Sequence, residues 1–145
     1  MRCKIKKKHK VVNESLISSI ILLIDEHEEG YVFIRDFNNN HKKIDISSKY
    51  EGIKIIEDIE KRLEIKFYKF KEIRSNNTIL HFIDTSKIIN IEISINSVLN
   101  INFFTLNITM KYKDFEEEII DVLQSIFSNH EIAKQIMKEI KNSMV

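Results

Sequence analysis

Residues 87–95 read KIINIEISI and residues 104–112 read FTLNITMKY, and these two stretches decide the fold class. In both, every second residue is apolar and the residues between are mostly polar. Strict alternation is typical of a β-strand with one face on a core and the other in water. The apolar positions are Ile89, Ile91, Ile93 and Ile95 in the first stretch, and Phe104, Leu106, Ile108, Met110 and Tyr112 in the second.

Two further pairs of short apolar runs are separated by turn-forming residues. YVFIRDF (31–37) and KKIDIS (42–47) flank NNNH, and IKFYKFKEI (65–73) and TILHFID (78–84) flank RSNN. Asn tolerates left-handed backbone geometry, so both arrangements predict β-hairpins. Segment 13–29 fits either a helix capped by Asn13 or a strand that forms a hairpin with 31–37, and we favour the strand.

Three segments have helical spacing of apolar residues. Ser48 followed by Glu51 has the spacing of a capping box, which predicts a helix over 49–63. Asp114 followed by Glu117 repeats this spacing, and a second helix is predicted there, running to about residue 127. Asn129 is the predicted cap of a last helix. The predicted apolar stripes are Phe115, Ile119, Val122, Leu123 and Ile126 in the second helix, and Ile132, Ala133, Ile136, Met137 and Ile140 in the third.

These elements predict an α+β fold in one domain over 1–145. We expect a curved, mostly antiparallel β-sheet packed against helices, with two helices at the C-terminus. Segments 17–63 and 78–127 have a similar order of elements, which suggests a weak internal repeat. Where the C-terminal helices cross the sheet, six residues should share one core: Ile91, Ile93, Leu106, Ile108, Ile119 and Leu123.

Charge is spread unevenly along the chain. The whole chain carries +1, but the first ten residues, MRCKIKKKHK, hold six positive charges, so the remainder carries −5. We interpret the basic start as a strand at the edge of a sheet, where Lys side chains block pairing with other molecules, and keep a nucleic-acid-binding arm as the alternative. The apolar run SLISSIILLI that follows is too short to cross a bilayer and has no cleavage pattern of a signal peptide.

Several kinds of chemistry lack their sequence signals. The only glycines, Gly30 and Gly52, cannot form a phosphate-binding loop, and the single cysteine, Cys3, excludes an internal disulfide. The five histidines are scattered, and His81, in a predicted strand, is interpreted as a structural group. We therefore expect no enzymatic activity, no metal and no cofactor, and a cytoplasmic protein.

One arrangement could still support metal-dependent nuclease chemistry. Glu64 and Lys66 lie two residues apart on a predicted strand, and Asp45 precedes them. Nucleases of the restriction-endonuclease type use an acidic pair and a lysine in this order. However, the helix predicted over 49–63 separates Asp45 from the other two, so we keep this only as an alternative.

Two acidic clusters are the candidate partner-binding residues: Asp25, Glu26, Glu28 and Glu29 in the first, and Glu116, Glu117 and Glu118 in the second. Such clusters often serve only solubility. They would also suit a basic protein partner. The hypothesis favoured here is a small inhibitory protein, such as the immunity protein of a toxin–immunity pair, that covers a functional surface of its toxin. The alternative is a β-rich docking module, similar to pleckstrin-homology domains, for a membrane surface or a peptide; a nucleic-acid partner is not expected.

Overall fold

The computed structural model describes residues 11–113 and 118–144. A five-stranded antiparallel sheet has the order β3-β2-β1-β5-β4, and a second sheet has the order β6-β7-β8. The strands of the first sheet are β1 (Ile17–Ile24), β2 (Gly30–Asp36), β3 (His41–Ile46), β4 (Tyr68–Arg74) and β5 (Asn77–Ile83). The second sheet contains β6 (Ile88–Val98), β7 (Ile101–Lys113) and β8 (Glu118–Phe127), and the helices are α1 (Lys49–Leu63) and α2 (His130–Ser143). Single 3₁₀ turns precede β1 and β6.

Both predicted hairpins are confirmed, and the ambiguous segment 13–29 contains a strand. β2 pairs with β3, and β4 pairs with β5. β1 lies at the centre of the first sheet, hydrogen-bonded to β2 on one side and β5 on the other. Helical spacing of apolar residues also occurs in β1, because a central strand is buried on both faces and so contains a dense apolar run that fits either period. Asn13, the cap in the alternative helical interpretation, caps the 3₁₀ turn Glu14–Leu16.

Helix α1 begins and ends as the sequence predicts. The Ser48 side chain accepts a hydrogen bond from the backbone N–H of Glu51, and the Glu51 carboxylate accepts one from Ser47 N–H. The helix packs closely on the first sheet at Gly52, where an added Cβ would lie 2.5 Å from Leu22 Cδ1. A side chain at this position would require the side chains of Leu22 and Ile46 to move.

The helix predicted over 114–127 is wrong, because residues 118–127 form β8, which pairs with β7 over its whole length. Inward and outward residues alternate: Leu123 and Ser125 are buried, whereas Val122 and Ile126 are largely exposed. Residues 114–117, which include the expected capping residues, lie outside the described part of the chain. The helix capped by Asn129 is confirmed as α2, so one helix stands at the C-terminus where two were expected.

Two sheets replace the single curved sheet that was expected, and each has its own apolar core. One core lies between α1 and the first sheet, and the other is formed by the second sheet, α2 and part of the opposite face of the first sheet. The second core contains Ile91, Leu106, Ile108 and Leu123, and Ile93 packs against it, as predicted. The side chain of Ile119 lies outside the described set.

The two segments suggested as a weak repeat, 17–63 and 78–127, do not contain the same elements, but a similar succession of elements occurs over other bounds. β1–β3 followed by α1, and β6–β8 followed by α2, are each three successive antiparallel strands followed by a helix. A duplication stays a hypothesis. The basic start, residues 1–10, lies outside the described residues, so its interpretation as an edge strand is untested. Among the helices that the structure describes, none has the length and apolar character needed to cross a bilayer.

Candidate functional site

Polar groups join the two sheets where β8 crosses the first sheet. Glu72, on β4, is 1% exposed; its Oε1 lies 2.8 Å from His81 Nε2, and its Oε2 accepts hydrogen bonds from the backbone N–H of Ile126 (3.1 Å) and from Arg74 Nε (3.1 Å). Burial alone would raise the pKa of Glu72. The hydrogen bonds from His81, Ile126 and Arg74 outweigh burial and hold the pKa below its usual value.

This network has the residue types of a catalytic triad but not its geometry. Ser125 Oγ lies 3.5 Å from His81 Nε2, the same nitrogen that faces Glu72. In a triad the carboxylate holds one ring nitrogen and the nucleophile the other. Here His81 Nδ1 is buried and has no partner among the described residues, and Ser125 is fully buried. The prediction that His81 is a structural group fits this geometry, in which Glu72 and His81 of the first sheet contact Ile126 and Ser125 of β8 in the second sheet.

The residues of the nuclease hypothesis are not brought together. Asp45 lies on β3, at one edge of the first sheet, and β4 forms the other edge. Four strand spacings separate these edges, which is about 19 Å. Glu64 is the left-handed C-cap of α1, and Lys66 lies in the loop that follows, not on a strand. The acidic pair and lysine of such an active site are therefore not formed by these three residues.

The first acidic cluster forms the turn between β1 and β2. Asp25 Oδ1 accepts hydrogen bonds from the backbone N–H groups of His27 (2.8 Å) and Glu29 (3.0 Å), and these bonds hold the pKa of Asp25 below its usual value. Asp25 thus stabilises the turn itself. Glu26, Glu28 and Glu29 are exposed, so three carboxylates are displayed to solvent.

The second acidic cluster lies largely outside the described part of the chain. Glu116 and Glu117 lie outside the described residues, and Glu118 begins β8, with its side chain outside the described set. Three residues later, Asp121 Oδ2 lies 2.9 Å from Arg35 Nη2. Arg35 is near the end of β2 that is opposite to the acidic turn, about 16 Å along the strand. The structure therefore describes only the first cluster as an exposed acidic surface.

The apolar residue with the highest exposure among those described, Leu99, belongs to a feature that the sequence analysis missed. β8 pairs with β7 only as far as Phe104, so the end of the β6–β7 hairpin extends beyond β8. All residues from 94 to 102 are exposed. We call four of these side chains the apolar tip: Ile95 (60% exposed), Val98 (56%), Leu99 (88%) and Ile101 (57%).

The turn at the apolar tip has unfavourable backbone geometry for its sequence. Leu99 and Asn100 connect β6 to β7 and have φ values of 51° and 66°. A two-residue turn with both φ values positive favours Asn-Gly, and a leucine in this region costs about 1–2 kcal/mol. Strain of this kind is often found at functional sites. Leu99 is therefore both strained and exposed, and neither property helps the isolated protein.

A sequence signal for this hairpin exists in its lack of charge. Residues 93–110 contain no Asp, Glu, Lys or Arg, although 31% of the chain is charged. Exposed strands and turns of soluble proteins normally carry charge. The uncharged run, with Leu at a turn position, could have indicated an exposed apolar surface from the sequence alone.

The three other histidines in the described part of the chain lie in separate elements. His41 stacks on Phe33, with ring centroids 5.3 Å apart, and His130 stacks on Phe104 at 4.6 Å, whereas His27 is exposed in the acidic turn. Within residues 11–113 and 118–144, no group of three or more His, Cys, Asp and Glu side chains is arranged to hold a metal ion.

Comparisons of the chain with protein-family models, with curated proteins and with solved structures found no significant match. The functional proposal therefore depends on the geometry described above.

Proposed function

We propose that this chain is a small non-enzymatic protein that binds and inhibits a protein partner, in the manner of an immunity protein that covers the functional surface of its toxin. The observation that carries the proposal is the apolar tip, where Leu99 is 88% exposed in strained backbone geometry. Exposed apolar clusters on soluble proteins commonly mark interaction sites. In this proposal the protein acts in the cytoplasm and needs no cofactor.

The tip has apolar side chains on both faces of the hairpin. Val98 and Ile101 are directly opposite each other on one face, and Ile95 is opposite Phe104 on the other. A projecting finger of this shape fits a cleft in the partner better than a flat surface. Insertion into a cleft would also remove the exposed leucine from water, which is a favourable change for an apolar side chain.

The acidic turn has a separate role in the proposal. Glu26, Glu28 and Glu29 are exposed and lie outside the tip, so they would act at a distance on a basic partner. Charges of this kind raise association rates, and salt screens them over about 8–10 Å. The apolar tip would determine how long the complex lasts, and the acidic turn how fast it forms.

In this proposal the toxin is encoded by the gene next to that of the immunity protein. The experiment therefore measures binding of the purified protein to the product of the neighbouring gene. Leu99→Asp should increase the dissociation rate strongly, because a carboxylate would enter an apolar cleft. Tyr50→Asp is the matched control, since Tyr50 is 77% exposed on α1, which packs on the face of the first sheet opposite to the second sheet. Charge reversal at Glu26, Glu28 and Glu29 should slow association at low salt and have little effect at high salt. Equal binding by Leu99→Asp and the unaltered protein would refute the role of the tip.

A growth assay tests inhibition separately from binding. Cells that express the neighbouring gene product as a toxin should survive with the unaltered protein or with Tyr50→Asp, and should lose protection with Leu99→Asp. If the unaltered protein forms the complex but does not reduce toxicity, the immunity function is contradicted and only a binding function is left.

A further inference from the structure

Beyond the irregular pairing at Ile88–Asn90, the outer edge of β6 has few of the features that normally protect an exposed strand. Within the part of the chain that the structure describes, β6 pairs with β7 on one side and with no strand on the other. Glu92 is the only charged residue of β6, and the strand contains no Lys and no Pro. Natural sheets usually block long open edges with such residues or cover them. From Asn90 to Val98 the strand is also free of bulges.

We propose that β6 pairs with β6 of a second copy of this chain, antiparallel and around a two-fold axis at Ser94, so that the two three-stranded sheets join into one of six strands. Identical strands can pair in this way because an antiparallel two-fold places the same surface on both partners.

This register agrees with the side chains of β6. With the axis at Ser94, Ile93 faces Ile95 of the second copy, and pairs of β-branched residues favour strand pairing. Glu92 faces the neutral Asn96 of the second copy, so the two carboxylates do not oppose each other. A shift of the axis to Glu92 would place these like charges directly opposite, which is destabilising. The charge pattern therefore excludes that register.

The dimer goes beyond the proposed inhibitory function and does not depend on it. Antiparallel pairing directs the two hairpin ends away from each other, so Leu99 stays exposed at each end of the joined sheet. Variants at Leu99 should therefore alter partner binding without altering dimerisation. Variants at the middle of β6 should alter dimerisation in the absence of any partner.

Cross-linking tests both the contact and the register. In a Cys3→Ser background, Ser94→Cys should form a disulfide-linked dimer rapidly under mild oxidation, because residues directly opposite in a sheet lie within disulfide reach. Gln124→Cys, which is exposed on the same face but on β8, is the control and should cross-link slowly. Equal rates for the two variants would overturn the proposal.

Sedimentation of the protein without cysteine changes tests the association itself. The protein should sediment as a dimer, and Ser94→Lys should weaken association roughly tenfold or more, because two like charges would meet at the axis. Gln124→Lys adds the same charge away from the axis and should leave the dimer intact. A monomer over roughly a hundredfold range of concentration would refute the dimer. A dimer insensitive to Ser94→Lys would refute β6 as its interface.

Discussion

The replacement Leu99→Asn should stabilise the isolated protein and weaken its binding to a partner. Leu99 occupies left-handed backbone geometry, which costs a branched aliphatic residue about 1–2 kcal/mol but is much less costly for Asn. The lost side chain is 88% exposed, so its removal takes little packing from the folded state. We therefore expect the free energy of unfolding to rise by about 1 kcal/mol, which is about 3 °C in Tm for a chain of this length.

The effect on binding should be opposite in sign and larger. If the partner buries Leu99 fully, loss of this side chain should cost about 2 kcal/mol of binding free energy, or a roughly 30-fold increase in Kd. Urea denaturation measures the first change, and surface plasmon resonance with the product of the neighbouring gene measures the second. Opposite signs for the two changes are the diagnostic result, because a merely structural residue would lower both stability and binding.

The neighbouring turn residue supplies the matched control. Asn100→Gly improves the same turn, since Gly is favoured at its second position, but keeps the leucine. It should raise stability slightly and leave Kd unchanged. If Leu99→Asn lowers stability, Leu99 contributes to the fold despite its exposure, and the strain argument is refuted. If both variants bind equally well, the apolar tip is not the contact.

Three further predictions concern the interior. Glu72→Gln should lower the free energy of unfolding by about 1–3 kcal/mol, measured in urea, because the amide cannot satisfy all the donors that meet the carboxylate. Asp36→Asn should reduce the loss of stability in acid. Burial would raise the pKa of Asp36, but hydrogen bonds from Asn13, Asn38 and Asn40 outweigh burial and lower it. The stabilisation that ionised Asp36 gives to the fold is therefore complete above the unfolded-state pKa of about 4 and is lost as pH falls through the folded-state pKa. Ile108→Ala should cost about 2–5 kcal/mol of unfolding free energy and Thr109→Ala, on the opposite face, much less; equal costs would contradict the described burial.

Most strands could be predicted because each has one face on a core. The alternation in β7, for example, gives Leu106, Ile108 and Met110 as buried residues, and all three are. β8 could not be recognised in this way. One of its inward residues is polar, Ser125, and its outward residues Val122 and Ile126 are apolar, which hides the alternation and imitates a helical stripe.

The candidate site was harder to predict than the fold. Clustered acidic residues in a sequence suggest a basic partner. Asp25, however, accepts hydrogen bonds from backbone N–H groups of its own turn. Leu99 by itself gave no such indication, because an apolar residue between two strands is normally interpreted as part of the core. Only the lack of charge in residues 93–110 indicated its exposure, and the pairing lengths of β7 and β8 show how far the hairpin projects.

The buried network and the apolar tip are connected through β8. Glu72 binds the backbone N–H of Ile126, and the next residue, Phe127, pairs with Phe104 at the point where the hairpin begins to project. A hydrogen bond to a backbone group fixes the position of the strand, and a buried charged acceptor makes that bond strong. The contact between the two sheets therefore fixes β8 beside the base of the hairpin. A buried polar group often costs stability compared with an apolar one. In the proposed function the hairpin would enter a partner's cleft, and the bond from Ile126 to Glu72 would hold the base of the hairpin in place while it does so.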